Sequence, residues 1–356
     1  MTDQLSQLDV KLEKQPGISL VLSGGATKAF YFHLGVLKVL RPENISSIVG
    51  TSAGAVIGAF IASGASVENL LTSLHQKQVY VPKFDSWVKT LTSTMLFKPK
   101  YGDIAKQSLL SSYAGLRFML SLPRLYNRDI LAEALDTIIH SQSHISGFFD
   151  TVALEDLFKS LLPSADFADT EIDLYVVASA LDAAQRAVFN GKYTFQDEEN
   201  DFMIDVPIHR AVRASSAIPG IFEPVKIKDR YYIDGEVKRT LSADIGVRLA
   251  DTILISHTYQ PLRIQGTGRS INDMGWINIV KQSTSMLFQE RIAVWRKIYE
   301  REHPEKRIFW IQPDPDDVDF FLAPEFSFRP EVQRKMIKSG EVAALKVLQQ
   351  IEEDHV

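Results

Sequence analysis

The sequence predicts an α/β protein whose central sheet is mostly parallel. Two short β-branched runs, Ile18–Leu22 and Ile45–Val49, have the composition of buried strands. Each is followed by an apolar helical segment, Ala29–Leu40 and then Ala53–Ala62. Strands that alternate with helices in this way lie parallel and are joined by right-handed crossovers. The chain has 356 residues, 45% of them hydrophobic, so it can bury a large core.

The overall composition excludes several classes of protein. A net charge of -5 argues against a general nucleic-acid partner. The absence of cysteine excludes a disulfide framework, a thiolate metal site and a cysteine nucleophile. Residues 1–16 are polar and carry no apolar signal region, so we expect a flexible arm there, no signal peptide and a cytoplasmic protein.

The turn after the second strand carries the candidate nucleophile. It has the spacing Gly50-Thr51-Ser52-Ala53-Gly54, which is typical of a nucleophile elbow between a strand and a helix. Gly50 and Gly54 would let neighbouring backbone approach the corner. Two alternatives are a chance GxSxG and a membrane span, because residues 46–66 are uncharged. The many small residues favour a helix packed closely on a sheet, and no transmembrane helix is expected.

A glycine-rich turn follows the first strand. Gly24, Gly25 and Ala26 precede a predicted helix, where unpaired amides can bind an anion. The spacing matches neither a dinucleotide fingerprint nor a Walker loop. Beside a serine nucleophile the anion would be an oxyanion, and Lys28 would add positive potential.

The serine needs a base, and the residues leave two choices. His257 ends the predicted strand TILISH and could complete a Ser-His triad. Asp234 follows two tyrosines and precedes Gly235, which lets the chain turn and direct the carboxylate inward. Burial would raise the pKa of Asp234 towards that of a useful base. We expect His33, within an apolar helix, to be a core histidine.

A basic and apolar segment extends from about Lys83 to Arg128. It contains eight basic and two acidic residues among many large apolar ones. This mixture suits an anionic lipid surface, with Lys98, Lys100 and Lys106 as candidate membrane-facing groups. The alternative is an inserted helical cap that packs on the core and leaves its lysines in water.

The rest of the chain continues the alternation of strands and helices. The acidic run Asp314–Asp319 lacks the glycine and distal glutamate of a calcium loop and is predicted to be solvated. The predicted elements are strand Ile172–Ala180, helix Ile208–Ala217, strand Thr252–Ser256, helix Ile277–Tyr299, strand Arg307–Ile311 and helix Pro330–Glu352.

Three runs together resemble the patatin-like phospholipase family: GGATKAFYFHLGVLKVL, IVGTSAGAVIGAFIASG, and ASSAIPGIFEPV leading to YYIDGE. The family pattern is a glycine-rich loop, GxSxG and a DG[GA] turn, and the resemblance extends from Ile18 to Ser256. It implies a three-layer α/β/α hydrolase with a catalytic domain at residues 17–260. It also implies a helical insertion at about 77–150 and a mostly helical C-terminal extension at 261–356, packed on the core.

The resemblance also implies an activity. The family uses a Ser-Asp dyad, here Ser52 and Asp234, and an oxyanion hole, here Gly24, Gly25 and Ala26, without a metal or cofactor. The expected enzyme is a lipid acyl hydrolase of phospholipase A or lysophospholipase type, acting at a phospholipid membrane surface and possessing an acyl-enzyme intermediate. The alternatives are an inactive membrane-recruited binding protein, an acyltransferase and a thioesterase. A protein activator is a further partner that the sequence does not identify.

Three residues depart from the family pattern. Ser23 stands where a third glycine is common, and Ala29 where the last glycine is expected. Glu236 replaces Gly or Ala after the Asp-Gly pair. We expect its carboxylate to face solvent, since an inward carboxylate would raise the pKa of Asp234.

Overall fold

The computed structural model describes residues 12–76, 78–81, 86–89, 98–99, 146–264 and 270–353. Its elements follow the chain in this order: β1 Ile18–Leu22, α1 Ala26–Leu40, β2 Ile45–Thr51, α2 Ala53–Ala62, α3 Val67–Gln76, β3 Gln78–Val81, β4 Ser86–Lys89, β5 Lys98–Pro99, β6 Phe149–Asp150, α4 Val152–Leu161, β7 Asp173–Ala180, β8 Gln185–Phe189, β9 Phe195–Gln196, β10 Asn200–Met203, α5 Ile208–Ser215, β11 Val225–Ile227, β12 Arg230–Asp234, α6 Ala243–Leu249, β13 Thr252–Ser256, α7 Trp276–Glu302, β14 Arg307–Ile311, α8 Val318–Leu322 and α9 Pro330–Glu353.

One mixed sheet organises the described part of the chain. Its strand order is β14-β13-β1-β2-β7-β8-β10-β9, and the first five of these strands are mutually parallel. Strand β8 turns back antiparallel to β7, and β12 also pairs antiparallel with β7. The predicted mostly parallel α/β sheet is therefore confirmed, with an antiparallel side that the sequence did not indicate.

Helices cover both faces of this sheet. Along β1, Leu20 and Leu22 pack with α1, α2 and α9, whereas Val21 packs on the other face with α6 and α7. This alternation follows from the period of two along a strand. Because both faces are covered, the central strands are buried along almost their whole length.

Helix α9 packs against α1 with backbone in direct contact. A methyl group added at Gly35 would lie 2.0 Å from the carbonyl oxygen of Ile337, and one at Gly340 would lie 2.0 Å from that of Phe32. Only glycine permits this approach. The closing helix is thus held on the helix that begins at the glycine-rich loop.

The described part of the segment 77–150 consists of short strands. Strand β3 pairs with β4, and β5 pairs with β6. The helical character that we expected there, together with Lys100 and Lys106, lies outside the described residues. Lys98 lies in β5, opposite Asp150 in the backbone register.

Among the described residues, no single helix has both the length and the apolar character to cross a membrane. Helices α2 and α3 meet those requirements only as a pair, which is bent by 119° at the break between them.

Candidate active site

The strand order brings three chain segments to one edge of the sheet. Strands β1 and β2 are parallel neighbours with Leu22 opposite Gly50, so the glycine-rich loop and Ser52 emerge side by side. Strand β7 flanks β2 on its other side, and β12 runs antiparallel to β7 with Asp234 opposite Ala178. The carboxyl end of β12 therefore delivers Asp234 to the side of Ser52.

Ser52 occupies a strained corner between β2 and α2. Its backbone has φ 53° and ψ -118°, which an L-residue seldom adopts. Its N–H donates to Ser215 Oγ at 2.8 Å, and the Ser215 hydroxyl donates to the carbonyl of Val177 at 2.6 Å. Tertiary contacts of this kind are what maintain such a conformation.

The glycines beside the corner admit backbone rather than side chains. A methyl group at Gly50 would lie 2.6 Å from the Gly54 carbonyl oxygen, and one at Gly54 would lie 2.2 Å from that of Leu22. Likewise, a methyl at Gly235 would lie 2.4 Å from the carbonyl oxygen of Val177. These three glycines allow the elbow and the Asp234 turn to approach each other.

Ser52 and Asp234 are both buried, and the Ser52 hydroxyl is close enough to the Asp234 carboxylate to favour its charged form. Burial raises the pKa of Asp234 to about 6, although the Ser52 hydroxyl and the Glu236 amide both favour its charged form. The Glu236 amide donates to Asp234 Oδ1 at 3.0 Å. The arrangement can transfer a proton from serine to aspartate directly.

The glycine-rich loop presents amides at the start of α1. Gly25 has φ 127° and Ala26 has φ 55°. Within the described residues, the N–H groups of Gly25 and Ala26 have no acceptor, whereas that of Gly24 donates to Glu236 Oε1 at 2.8 Å. The N–H groups of Gly25 and Ala26 are therefore available to bind an anion, whereas the N–H of Gly24 is already bonded to Glu236.

The backbone strain in this loop lies at Ala26 and not at the two positions, Ser23 and Ala29, that depart from the family pattern. Ala29 is within α1, and neither Ala29 nor Ser23 has a positive φ, so these two departures place no strain on the backbone. Ala26 does have a positive φ and carries a Cβ.

Lys28 is directed to the C-terminal part of the chain. Its buried Nζ lies 2.9 Å from Glu325 Oε1 and 4.6 Å from the centroid of the Phe320 ring. Burial lowers the pKa of Lys28 to about 8, against the attraction of Glu325. Lys281 of α7 also pairs with Glu325, at 2.9 Å. Lys28 thus links α1 to the C-terminal elements.

The expectation that Glu236 faces solvent is wrong. Its side chain is 6% exposed, and Oε2 accepts the N–H of Leu241 at 3.1 Å while Oε1 accepts that of Gly24. The Tyr259 hydroxyl also hydrogen-bonds this carboxylate. Three donors for one carboxylate explain why the residue turns inward despite the desolvation.

His33 and His257 are buried, and within the described residues neither is hydrogen-bonded to Ser52 or Asp234. The Nδ1 atom of His33 is hydrogen-bonded to Ser256 Oγ at 2.8 Å, and its Nε2 atom lies 3.0 Å from the Ser23 carbonyl oxygen. His257 lies between the rings of Tyr259 and Trp310. Burial lowers the pKa of His33 to about 4 and that of His257 to about 3. Both are neutral core residues, as predicted for His33.

Carboxylates of the acidic run Asp314–Asp319 are bound by nearby groups of the protein. Asp314 binds Lys346 at 2.6 Å, and Asp317 accepts the Phe320 amide at 2.8 Å at the start of α8. Within the described residues, no three His, Cys, Asp or Glu side chains are grouped so as to hold a metal ion.

Sequence reasoning missed two residues that contact the site. Ser215 accepts the Ser52 amide, and the Tyr259 hydroxyl lies beside the Glu236 carboxylate and 3.1 Å from where a methyl group at Gly24 would stand. Ser215 belongs to the run ASSAIPG, where two adjacent serines gave no indication of which one faces the elbow. Tyr259 follows a strand by three residues and has no local signal.

Comparison with known proteins gives matches over most of the chain. A family model described as Patatin-like phospholipase matches residues 20–247. A probable lipid hydrolase of Invertebrate iridescent virus 6 is 24% identical over 232 residues, covering 65% of this chain and 63% of that protein. An uncharacterized NTE family protein of Mycobacterium tuberculosis is 24% identical over 290 residues, covering 80% of this chain and 61% of that protein.

Among solved structures, VipD from Legionella pneumophila aligns with 96% of this chain and 68% of its own, at 15% identity and a TM-score of 0.38. The chain spans less than two thirds of the length of the viral and mycobacterial relatives.

Proposed function

This chain belongs to the patatin-like phospholipase family and is a lipid ester hydrolase at the level of that family, and we propose that it is a serine phospholipase A or lysophospholipase. The side-by-side arrangement of the buried Ser52 and Asp234 side chains is the observation that carries this proposal. It joins a nucleophile to a base with no histidine between them.

The proposed reaction begins with a fatty-acyl ester of a membrane phospholipid. The Ser52 oxygen attacks the acyl carbon while Asp234 takes the hydroxyl proton. The tetrahedral intermediate collapses, the ester bond breaks, and Asp234 returns the proton to the departing alcohol. Water then attacks the acyl-enzyme, gives its proton to Asp234, and releases the fatty acid as Ser52 is reprotonated.

The raised pKa of Asp234 suits both halves of this cycle. With a pKa of about 6 the carboxylate is mostly ionised at neutral pH and so can accept a proton. It is also more basic than an exposed aspartate, which increases the driving force for transfer. An acid of this strength can still protonate the leaving alkoxide.

The amides of Gly25 and Ala26 supply the oxyanion hole in this scheme. They lie at the first turn of α1, where unpaired N–H groups and the helix dipole favour negative charge. Donors fixed in a buried site stabilise the charge that develops on the carbonyl oxygen. Lys28 contributes through the position of α1, since its ammonium group is bound to Glu325.

A phospholipid surface is the partner that we propose for this enzyme. The exposed face of α7 carries Trp276, 74% exposed, and Leu287, 69% exposed, with Ile277, Val280 and Met286 beside them. Residues 274–289 contain no acidic side chain. Such a face suits an interfacial helix, and the basic residues Lys98, Lys100 and Lys106 would add attraction to anionic lipid. The proposed setting is peripheral association with a membrane from the cytoplasm.

A second candidate is a lipid-binding protein with little turnover. The contact of the Glu236 carboxylate with the Gly24 amide favours it, because one potential oxyanion donor is already engaged. An acyltransferase or thioesterase would use the same dyad with another acceptor or leaving group.

Fatty-acid release from mixed phospholipid vesicles, with products resolved by mass, tests the proposal. Wild type should release fatty acid, and Ser52→Ala and Asp234→Asn should fall by at least about a thousandfold. Ser63→Ala and the exposed Asp182→Asn are matched controls and should retain wild-type activity. Full activity in Ser52→Ala would refute the serine mechanism. Vesicle binding without release by wild type would favour the binding protein.

The membrane proposal is tested separately with a soluble short-chain ester. One variant combines Trp276→Ser with Leu287→Ser, and a second replaces Lys98, Lys100 and Lys106 with Gln. Each should lower vesicle affinity and leave hydrolysis of the soluble ester unchanged. Leu345→Ser on α9 removes a comparably exposed apolar side chain and should not alter vesicle binding. Unchanged affinity in both sets of variants would exclude these surfaces.

A further inference from the structure

Glu236 connects the base to the glycine-rich loop. Its amide donates to Asp234 Oδ1, and its carboxylate accepts the N–H of Gly24. A methyl group built on Gly24 would lie 3.0 Å from Glu236 Cγ, 3.1 Å from Ser52 Cβ and 3.1 Å from the Tyr259 hydroxyl. The side chains of Glu236, Ser52 and Tyr259 therefore converge on one point beside the loop.

The carboxylate is held there by bonds from three different segments. Gly24 belongs to the loop after β1, Leu241 precedes α6, and Tyr259 follows β13. Each of them donates, so the geometry is that of an acceptor. An ionised carboxylate in this position competes with an oxyanion for the Gly24 amide and also repels it.

We propose that Glu236 is a positioning residue that withholds the Gly24 amide from the oxyanion hole while its carboxylate is ionised and releases that amide when it is protonated. The inference rests on the proposed function, since it concerns the same hole. It adds a control that the Gly or Ala found at this position of the family pattern would not provide.

The surroundings of Glu236 allow it to change charge near neutrality. Burial raises its pKa to about 7, opposed by the Gly24 bond, and the Asp234 charge raises the pKa further. Tyr259 is a neutral donor whose own pKa burial raises well above its ordinary value. The cations on adjoining segments are paired with other acids: Lys28 and Lys281 with Glu325, Lys238 with Glu199, and Arg239 with Asp244.

The two carboxylates then act on opposite limbs of the pH profile. Asp234 must be ionised to accept a proton, so activity rises with pH through its pKa. Glu236 opposes the oxyanion once it is ionised, so activity falls as pH rises through its pKa. Wild type is therefore active in a window between weak acid and neutrality.

The experiment measures kcat for a soluble short-chain ester against pH. Wild type should lose at least about threefold between roughly pH 7 and pH 9, whereas Glu236→Gln, which keeps an acceptor without the charge, should lose little. Tyr259→Phe removes one donor to the carboxylate, so the fall should move to higher pH. Glu341→Gln on α9 is the matched control and should reproduce the wild-type profile.

Each remaining outcome contradicts the inference. A fall in Glu236→Gln identical to that of wild type would overturn it. Loss of activity at every pH in both Glu236→Gln and Glu236→Ala would also overturn it, provided that both variants keep the wild-type melting temperature. The carboxylate would then be needed for the chemistry itself. Ser52→Ala in the same assay separates the two proposals. When the Glu236 variants contradict the inference, an active Ser52→Ala shows that the proposed serine mechanism fails as well. An inactive Ser52→Ala shows that the mechanism stands and that only the role of Glu236 is overturned.

Discussion

The Ser215 hydroxyl lies between the Ser52 amide, which donates to it at 2.8 Å, and the Val177 carbonyl, which accepts from it at 2.6 Å. It therefore connects the corner at Ser52 to β7, the strand beside it. Ser52 has φ 53°, and a backbone in this region needs external support. Ser215 provides that support from α5.

Ser215→Ala should lower kcat by about tenfold and the free energy of unfolding by about 1 to 3 kcal/mol, because a buried amide loses its acceptor. Ester hydrolysis and urea unfolding measure the two effects. Ser216→Ala is the matched control, since the neighbouring hydroxyl is buried and has no partner among the described residues. Equal effects of the two substitutions would contradict a specific role for Ser215.

The acid limb of the pH profile should belong to Asp234. Since burial raises its pKa to about 6, kcat/KM should rise about tenfold per unit of pH below that value, until the fall assigned to Glu236 begins near neutrality. Asp234→Asn should abolish activity across the range. Residual activity that is lost in His257→Asn would instead indicate that His257 acts as the base.

Ala26→Gly should stabilise the protein by about 0.5 to 1 kcal/mol, because glycine adopts a positive φ without steric strain but loses more backbone entropy on folding. Ala184→Gly is the matched control, with φ 51° in the turn between β7 and β8, and should show a similar gain. Urea unfolding measures both. Destabilisation by Ala26→Gly alone would show that the loop requires the methyl group.

Gly340→Ala should destabilise the fold by at least about 2 kcal/mol, because the methyl would meet the Phe32 carbonyl oxygen. Alanine in a helix otherwise stabilises relative to glycine, so the expected sign is the reverse of the usual one. Gln350→Ala, at an exposed position of the same helix, should change stability little. A stabilising Gly340→Ala would show that α9 can move away from α1.

The sequence was sufficient for the elements that carry strong local signals. The βαβα start, the elbow at Ser52 and the helix beginning at Pro330 follow from apolar periodicity and glycine spacing, and their observed ends differ from the predicted ends by at most three residues. The pairing of Ser52 with Asp234 was suggested by the resemblance. Residues separated by 182 positions have no local pattern that relates them.

What the sequence did not predict depends on tertiary contacts. Strands β8 to β10 are short and rich in polar residues, so their hydrophobic pattern is weak, and they form because β7 offers an open edge. Glu236 was expected in water because a lone acidic side chain in a turn usually is. Its inward orientation depends on donors from Gly24, Leu241 and Tyr259, which only the folded chain brings together.

The close approach of α1 and α9, at Gly35 against Ile337 and at Gly340 against Phe32, bears on how this protein can be divided. The family match ends at residue 247, yet β1 pairs with β13, β13 pairs with β14, and α9 covers α1. A fragment ending at residue 247 would have an open strand edge at β1 and an uncovered apolar face on α1. We therefore propose that the folded unit extends to α9, and we expect a protease cut near residue 260 to yield two pieces that stay associated.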